Sequence, residues 1–173
     1  PNRGMTLSRN QLVLDFSRKE VVDNIYNQMC LILDKVPLDY IKWDFNRNLT
    51  EVFSSAADAE HQGEVSHRYV LGLYDLMERL VTRYPNILFV GCSGGGGRFD
   101  AGILYYMPQS WPSDDTDAVE RLKIQYGTSL TYPISSMTEH VSVSPSQQTG
   151  RCTSLKRRSE VALSRSFRYE IDL

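Results

Sequence analysis

Apolar and polar positions along the chain follow two alternating rhythms. Residues 11–16, Gln-Leu-Val-Leu-Asp-Phe, form a short β-prone run, and Ser17 with Glu20 three residues later has the capping-box spacing of a helix start. Val21, Val22, Ile25, Tyr26, Met29, Ile32 and Leu33 then return at three- and four-residue steps, the single apolar stripe of an amphipathic helix reaching about Lys35. Pro37 ends that helix, and residues 38–43 read as a strand. The round repeats. Tyr69, Leu73, Leu76, Met77 and Leu80 mark a second helix stopped before Pro85, and residues 87–90 are nearly all apolar, as suits a parallel strand buried on both faces. A third round predicts a helical turn over 101–106, a strand over 106–111 and a helix over 117–130 carrying Ala118, Val119, Leu122 and Tyr126. Weaker strand signals follow at 132–137 and 168–173, and the Ser- and Arg-rich stretch 147–168 reads as a loop with a short helix.

About six strands alternating with helices predict an α/β fold with a parallel sheet rather than α+β or all-β. The residues with chemistry fall just after strands, at Asp44, Cys92 and Asp114, which is where a (β/α)8 TIM barrel collects its active site. Such a barrel needs eight strands and about 250 residues, so roughly two strands are expected to be missing. The chain opens at Pro1 and stops at Leu173 within an apolar-alternating run, as an excised segment would. An incomplete barrel is expected to leave apolar edges and faces exposed.

Composition narrows the class without naming a function. Of 173 residues 41% are hydrophobic, enough to build a core, and 19 Lys+Arg against 21 Asp+Glu leave a net charge of -2. A field so small asks for neither nucleic acid nor an anionic membrane as partner. No apolar run approaches the roughly 20 residues that span a bilayer. Cys30, Cys92 and Cys152 lack paired or metal-type spacing, which fits a reducing compartment; three are too few to establish one, and the compartment stays open with the cytoplasm slightly favoured.

Three segments concentrate the chemistry. In the first, Tyr40-Ile41-Lys42-Trp43-Asp44-Phe45-Asn46-Arg47, an Asp after a strand is most often a turn or capping residue. Here Lys42 alternates with Asp44 so that both face one way, and Asn46 adds a polar group; a carboxylate held ionised by an ammonium is a competent nucleophile. The second, Cys92-Ser93-Gly94-Gly95-Gly96-Gly97-Arg98-Phe99-Asp100, resembles a phosphate loop but lacks the following Lys-Ser/Thr and the dinucleotide spacing. A backbone made bare for the close approach of a neutral sugar fits it better, with Cys92 either a small buried hydrophobe or part of the pocket lining. The third, Trp111-Pro112-Ser113-Asp114-Asp115-Thr116-Asp117-Ala118-Val119-Glu120-Arg121, could be capping alone, with Asp117 and Glu120 as a capping box. A calcium loop fails for want of the Gly at position six and Glu at position twelve. An acid/base needs a carboxyl group that holds a proton near neutrality, and a partly buried Asp beside another carboxylate and an aromatic surface meets that need. Trp111 also offers a flat face for a sugar ring.

These three blocks, in this order and after Ser8-Arg9-Asn10-Gln11-Leu12-Val13-Leu14-Asp15, closely resemble the catalytic barrel of the α-galactosidases of glycoside hydrolase family 36. The resemblance covers nearly all of residues 7–173. It implies a retaining hydrolase acting on terminal α-D-galactosyl residues of sugars such as melibiose and raffinose, with Asp44 as nucleophile and Asp114 as proton donor and acid/base. It also implies galactose contacts at Arg9, at Lys42, Trp43 and Asn46, and at Cys92, Ser93, Gly94 and Gly95. No metal or organic cofactor is implied, and whether the whole enzyme is a homo-oligomer is left open. Asp115 stands where Asn is usual, Ser144-Pro145-Ser146-Gln147 replaces Val-Pro-Asn-His, and Lys156, Arg157, Arg158, Arg165 and Arg168 are basic where the family is not. Residues 1–173 would then supply about strands 3 to 8 of the barrel, without the N-terminal β-sandwich, the first barrel strands or the C-terminal β domain of family members. A galactosyl transferase, an α-N-acetylgalactosaminidase of the same clan and a non-catalytic truncated fragment stay open as alternatives.

Overall fold

In the computed structural model, residue 7 and residues 10–46, 48–163 and 166–170 are described. Their elements run α1 (Lys19–Leu33), β1 (Tyr40–Asp44), α2 (Val65–Arg83), β2 (Leu88–Cys92), α3 (Ile103–Tyr106), β3 (Gln109–Ser110), α4 (Ala118–Ser129), β4 (Thr138–Ser142), α5 (Leu155–Ala162) and β5 (Ser166–Glu170). Two compact units divide them: residues 1–41 with 46–88, and residues 42–45 with 89–173.

In the first unit α1 packs on α2. Tyr69, Leu73, Leu76, Met77 and Leu80, the stripe read from the sequence, are all buried along α2. At Gly72 a Cβ would lie 1.8 Å from the Phe16 carbonyl oxygen, so only glycine lets α2 pass that close. Arg79 Nη1 donates to Asp23 of α1 at 2.7 Å, with its guanidinium 3.9 Å from the centre of the Tyr26 ring. Two expectations fail here. Residues 11–16 do not form a strand: Gln11 makes only an isolated bridge, and the Phe16 and Arg18 N–H groups turn back to the Leu14 and Asp15 carbonyls. No capping box starts α1 either, because the Ser17 hydroxyl and N–H both donate to the Asp15 carboxylate. The α1 stripe is covered only in part: Val22 and Leu33 are buried, whereas Ile32 is 53% exposed.

The second unit is built on parallel strands. The Leu88 N–H donates to the Asp39 carbonyl and the Phe45 N–H to the Cys92 carbonyl; partner numbers rise together, so β1 and β2 run parallel. Strand order is β1-β2-β3, with β2 and β3 parallel through Val90 opposite Gln109 and Gly91 opposite Ser110. A parallel bridge joins Ser110 to Met137, and β4 pairs parallel with β5 from Thr138 opposite Ser166 to Ser142 opposite Glu170. Phe89, Val90, Gly91 and Cys92 are buried in succession, as expected of a strand covered on both faces. Around them Met107, Met137, Val141, Val161 and Ala162 complete the core.

The fold is thus α/β with parallel strands, as the alternation predicts, but several boundaries differ. The strand expected over 106–111 is two residues long, because the Met107 N–H closes α3 onto the Ile103 carbonyl and Pro108 and Pro112 flank the rest. The strand expected over 132–137 begins only at Thr138, since Ile134–Ser136 forms one turn of 3-10 helix. The strand expected over 168–173 is displaced to Ser166–Glu170, and residues 171–173 lie outside the described residues. Five strands are seen among the described residues rather than about six.

Candidate active site

Parallel strands put their C-terminal ends on one edge, and in the second unit that edge collects the predicted residues. Asp44 ends β1, with its side chain exposed on the same face as Lys42, while Trp43 points the other way and is half-buried. The loop after Asp44 is tied down at Phe45. Its N–H donates to the Cys92 carbonyl, and its own carbonyl accepts from the Ser93 hydroxyl at 2.6 Å and from Arg98 Nη1 at 3.1 Å. The Arg98 guanidinium also lies over the Phe45 ring.

Cys92 ends β2 and is buried. Its thiol donates toward Asp114 Oδ1 at 4.0 Å, and Asp44 is near enough to act on its titration, so Cys92 lies close to both carboxyl groups. Burial first, then the Asp44 carboxylate, pushes this thiol up to about 11, against the pull of the Gly95 N–H and the Lys42 ammonium. It is therefore a neutral S–H donor at neutral pH.

The glycines explain how Asp114 is placed. Gly94 and Gly95 have φ of +54° and +82°, a backbone that L side chains rarely adopt. A Cβ on Gly95 would lie 2.4 Å from Ser113 Cα and 2.5 Å from the Asp114 nitrogen, and one on Gly96 would lie 2.6 Å from the Pro112 carbonyl oxygen. On the side where a Cβ would stand, the bare backbone at Gly95 and Gly96 is thus packed against the chain segment 112–114. At Gly94 alone among these the Cβ direction is open.

Asp114 is exposed rather than partly buried. Asp115 accepts the Asp117 N–H at 3.0 Å, and Asp117, buried at the start of α4, accepts from the Val119 and Glu120 N–H groups. Asp117 therefore caps α4 as expected, but Glu120 does not close the box: it pairs with Arg151 instead. The Thr149 hydroxyl and Arg151 also bond Asp117. Burial alone would raise this carboxyl, yet these donors and the helix N–H groups hold it below the usual carboxylate range.

Trp111 does not offer the open face expected of it. It is 2% exposed, with the Lys42 ammonium 4.8 Å above its ring and the His140 ring 4.6 Å away, so it acts as a floor for Lys42. Asn46 is half-buried and counts with the first unit, and Arg9 lies outside the described residues.

Three residues not singled out from the sequence belong to this arrangement. Arg121 and Glu139 form a buried pair beneath Ser113, and Gln148 Nε2 donates to the Asp114 carbonyl at 3.1 Å while its Oε1 accepts from the Thr116 hydroxyl at 3.0 Å. The sequence gives no signal for Arg121: the apolar stripe expected on α4 runs through Ala118, Val119, Leu122 and Tyr126, whereas Ala118, Arg121 and Gln125 are buried and Leu122 and Tyr126 are exposed. Among the described residues no group of three or more His, Cys, Asp or Glu is placed to hold a metal ion. Among them, too, no helix is long and apolar enough to cross a membrane.

The Melibiase family profile matches residues 1–173. The chain belongs to that family. It is 62% identical over all 173 residues to "Alpha-galactosidase 1" of Pediococcus pentosaceus and 61% identical to "Alpha-galactosidase Mel36A" of Lactobacillus acidophilus, covering 24% of each. It superposes on the crystal structure of the GH36 alpha-galactosidase AgaA of Geobacillus stearothermophilus with a TM-score of 0.96 and 58% identity, covering 100% of this chain and 24% of that one. A variant of the same enzyme in complex with raffinose gives a TM-score of 0.97 at 57% identity with the same coverage. The chain thus spans about a quarter of the length of these family members.

Proposed function

We propose that this chain carries the two catalytic carboxyl groups of a retaining α-galactosidase, which releases terminal α-D-galactosyl residues from galacto-oligosaccharides such as raffinose and melibiose. The observation that carries the reading is that Asp44 and Asp114, brought in by separate segments of one parallel-strand edge, both lie close to the Cys92 thiol. The names of the relatives and the raffinose complex of AgaA support the substrate class.

In this mechanism Asp44 attacks the anomeric carbon while Asp114 gives its proton to the departing glycosidic oxygen, leaving a galactosyl ester on Asp44. Asp114, now ionised, takes a proton from water, which attacks the same carbon and frees both galactose and Asp44. Two displacements restore the α configuration, and they ask for carboxyl groups about 5–5.5 Å apart. Lys42, fixed over Trp111 and on the same face of β1 as Asp44, reaches sugar hydroxyls. Arg9, Trp43, Asn46, the Cys92 thiol, Ser93 and the backbone at Gly94 and Gly95 complete the galactose contacts. The double displacement asks for no metal or organic cofactor.

We further propose that residues 1–173 supply about strands 3 to 8 of a (β/α)8 barrel, with its first strands, a β-sandwich and a C-terminal β domain lying elsewhere in the enzyme. The exposed apolar side chains of Leu31, Ile32 and Leu71 fit a surface that other elements cover.

The test is the configuration of product formed with azide by two variants of the full-length enzyme. Asp44→Ala should turn over only when azide attacks the vacated face, giving β-galactosyl azide; Asp114→Ala should give the retained α-galactosyl azide. The same anomer from both variants would refute the assignment.

A further inference from the structure

We propose that Arg121 is a positioning residue for the acid/base carboxyl, gripping the peptide that carries Asp114; this rests on the role of Asp114 proposed above. Arg121 stands in the first turn of α4 and is 2% exposed. Its Nη2 donates to the Ser113 carbonyl at 2.8 Å, its Nη1 to Glu139 Oε1 of β4 at 3.3 Å, and its guanidinium carbon is 5.7 Å from the centre of the Trp111 ring.

The Ser113 carbonyl belongs to the peptide plane that includes the Asp114 nitrogen and Cα, so holding that oxygen fixes the plane from which the Asp114 side chain departs. Gly95 sits against the same plane, where a Cβ would meet Ser113 Cα and the Asp114 nitrogen. The peptide is thereby held both by the close packing of a bare backbone and by a planar fork. Glu139, 1% exposed, fixes the fork in turn.

Stability alone does not account for this pair. Burying two charges carries a desolvation cost that their attraction often fails to offset, and apolar residues of the same volume commonly do as well. What a guanidinium adds is direction, through several donors in one rigid plane, one for the carboxylate and one for the carbonyl. A lysine keeps the charge beside Glu139 but has no such fork. Because catalysis falls steeply when a reacting group is misplaced, about 100-fold for 1 Å, loosening this plane should weaken proton donation to the leaving group specifically.

Two variants of the full-length enzyme test this: Arg121→Lys, which keeps the charge, and the double variant Arg121→Met/Glu139→Met, which removes both charges and strands neither. Each is measured by kcat/KM on raffinose and on p-nitrophenyl α-galactoside, with the pH profile of both. The aryl leaving group departs without much help from an acid, so both variants should lose about 10-fold or more rate on raffinose than on the aryl substrate, and their pH profiles on raffinose should shift. The ratio is taken within one preparation and does not depend on how much of it is folded. A purely structural role lowers both rates by one factor, and an unchanged ratio in both variants overturns the proposal. Asp114→Ala is run alongside: if it lacks the leaving-group signature, the acid/base assignment falls and this proposal with it. With that signature present, a flat ratio counts against Arg121 alone.

Discussion

The Sγ of Cys92 stands 4.0 Å from Oδ1 of Asp114, and the same thiol interacts with Asp44. With its titration pushed up to about 11, it should resist alkylation, because the thiolate is the reactive form. Iodoacetamide at pH 7–8 is expected to label the exposed Cys152 and spare Cys92, read by peptide mass mapping. Labelling of both at one rate in the folded protein would contradict this. The raised value also sets a stability window: the protonated thiol's contribution is complete below its ordinary value of 9.0 and is lost as pH rises through about 11. Melting temperature should fall across that interval, and less steeply in Cys92→Ala.

Asp115 should prove a turn residue. Its Oδ1 accepts the Asp117 N–H, a task an amide oxygen performs equally well. Asp115→Asn is therefore expected to keep kcat/KM within about twofold, whereas Asp114→Asn should lose about 100-fold or more on raffinose. Steady-state kinetics on the two variants decide which aspartate of the pair is the acid/base.

Gly95 and Gly127 should respond oppositely to the same added methyl. At Gly95 a Cβ would strike the backbone of 113–114 in a conformation with φ +82°, so Gly95→Ala should lose both stability and activity. Gly127 lies within α4 with nothing within 4 Å of the added carbon, and Gly127→Ala should gain about 0.4–1 kcal/mol. Thermal unfolding of both variants checks the pair.

Asp117 should govern part of the acid stability. Its folded value lies below the ordinary 3.8, so its contribution is present above that pH and lost as pH falls through the lower folded value. Asp117→Asn keeps a cap acceptor and should flatten the fall of melting temperature in that range. Asp117→Ala removes the cap of α4 and should cost about 1–2 kcal/mol near neutrality.

What the sequence revealed depended on how local the cause was. The α2 stripe from Tyr69 to Leu80 is buried as read, because a helical period is written in neighbouring residues. Ile32 follows the same period in α1 yet is exposed, since periodicity names a face without naming what covers it. The capping box at Ser17 failed to a competitor two residues away, the Asp15 carboxylate. Asp44, Cys92 and Asp114 could be found as polar residues after strands. The Arg121–Glu139 pair joins a helix to the following strand across the core, and nothing in the spacing of a single chain announces such a contact. The glycine block was legible as bare backbone, but which partner approaches it depends on where the chain returns, and there the segment 112–114 takes the space.

The segment bearing Asp114 is fastened at three points, by Gly95 packing, by Arg121 on the preceding carbonyl and by Gln148 on its own carbonyl. Such a mounting concentrates the ordering entropy of the proposed acid/base in the folding reaction, once per molecule, instead of levying it at each encounter with a sugar. In the proposed mechanism Asp114 releases a proton in one half of the cycle and recovers one in the other, and such a group gains from standing still between the two. The corollary is a rigidity that leaves the leaving-group side of the site little freedom to remould itself, so acceptors of different shape would have to be selected by residues outside this triply held turn.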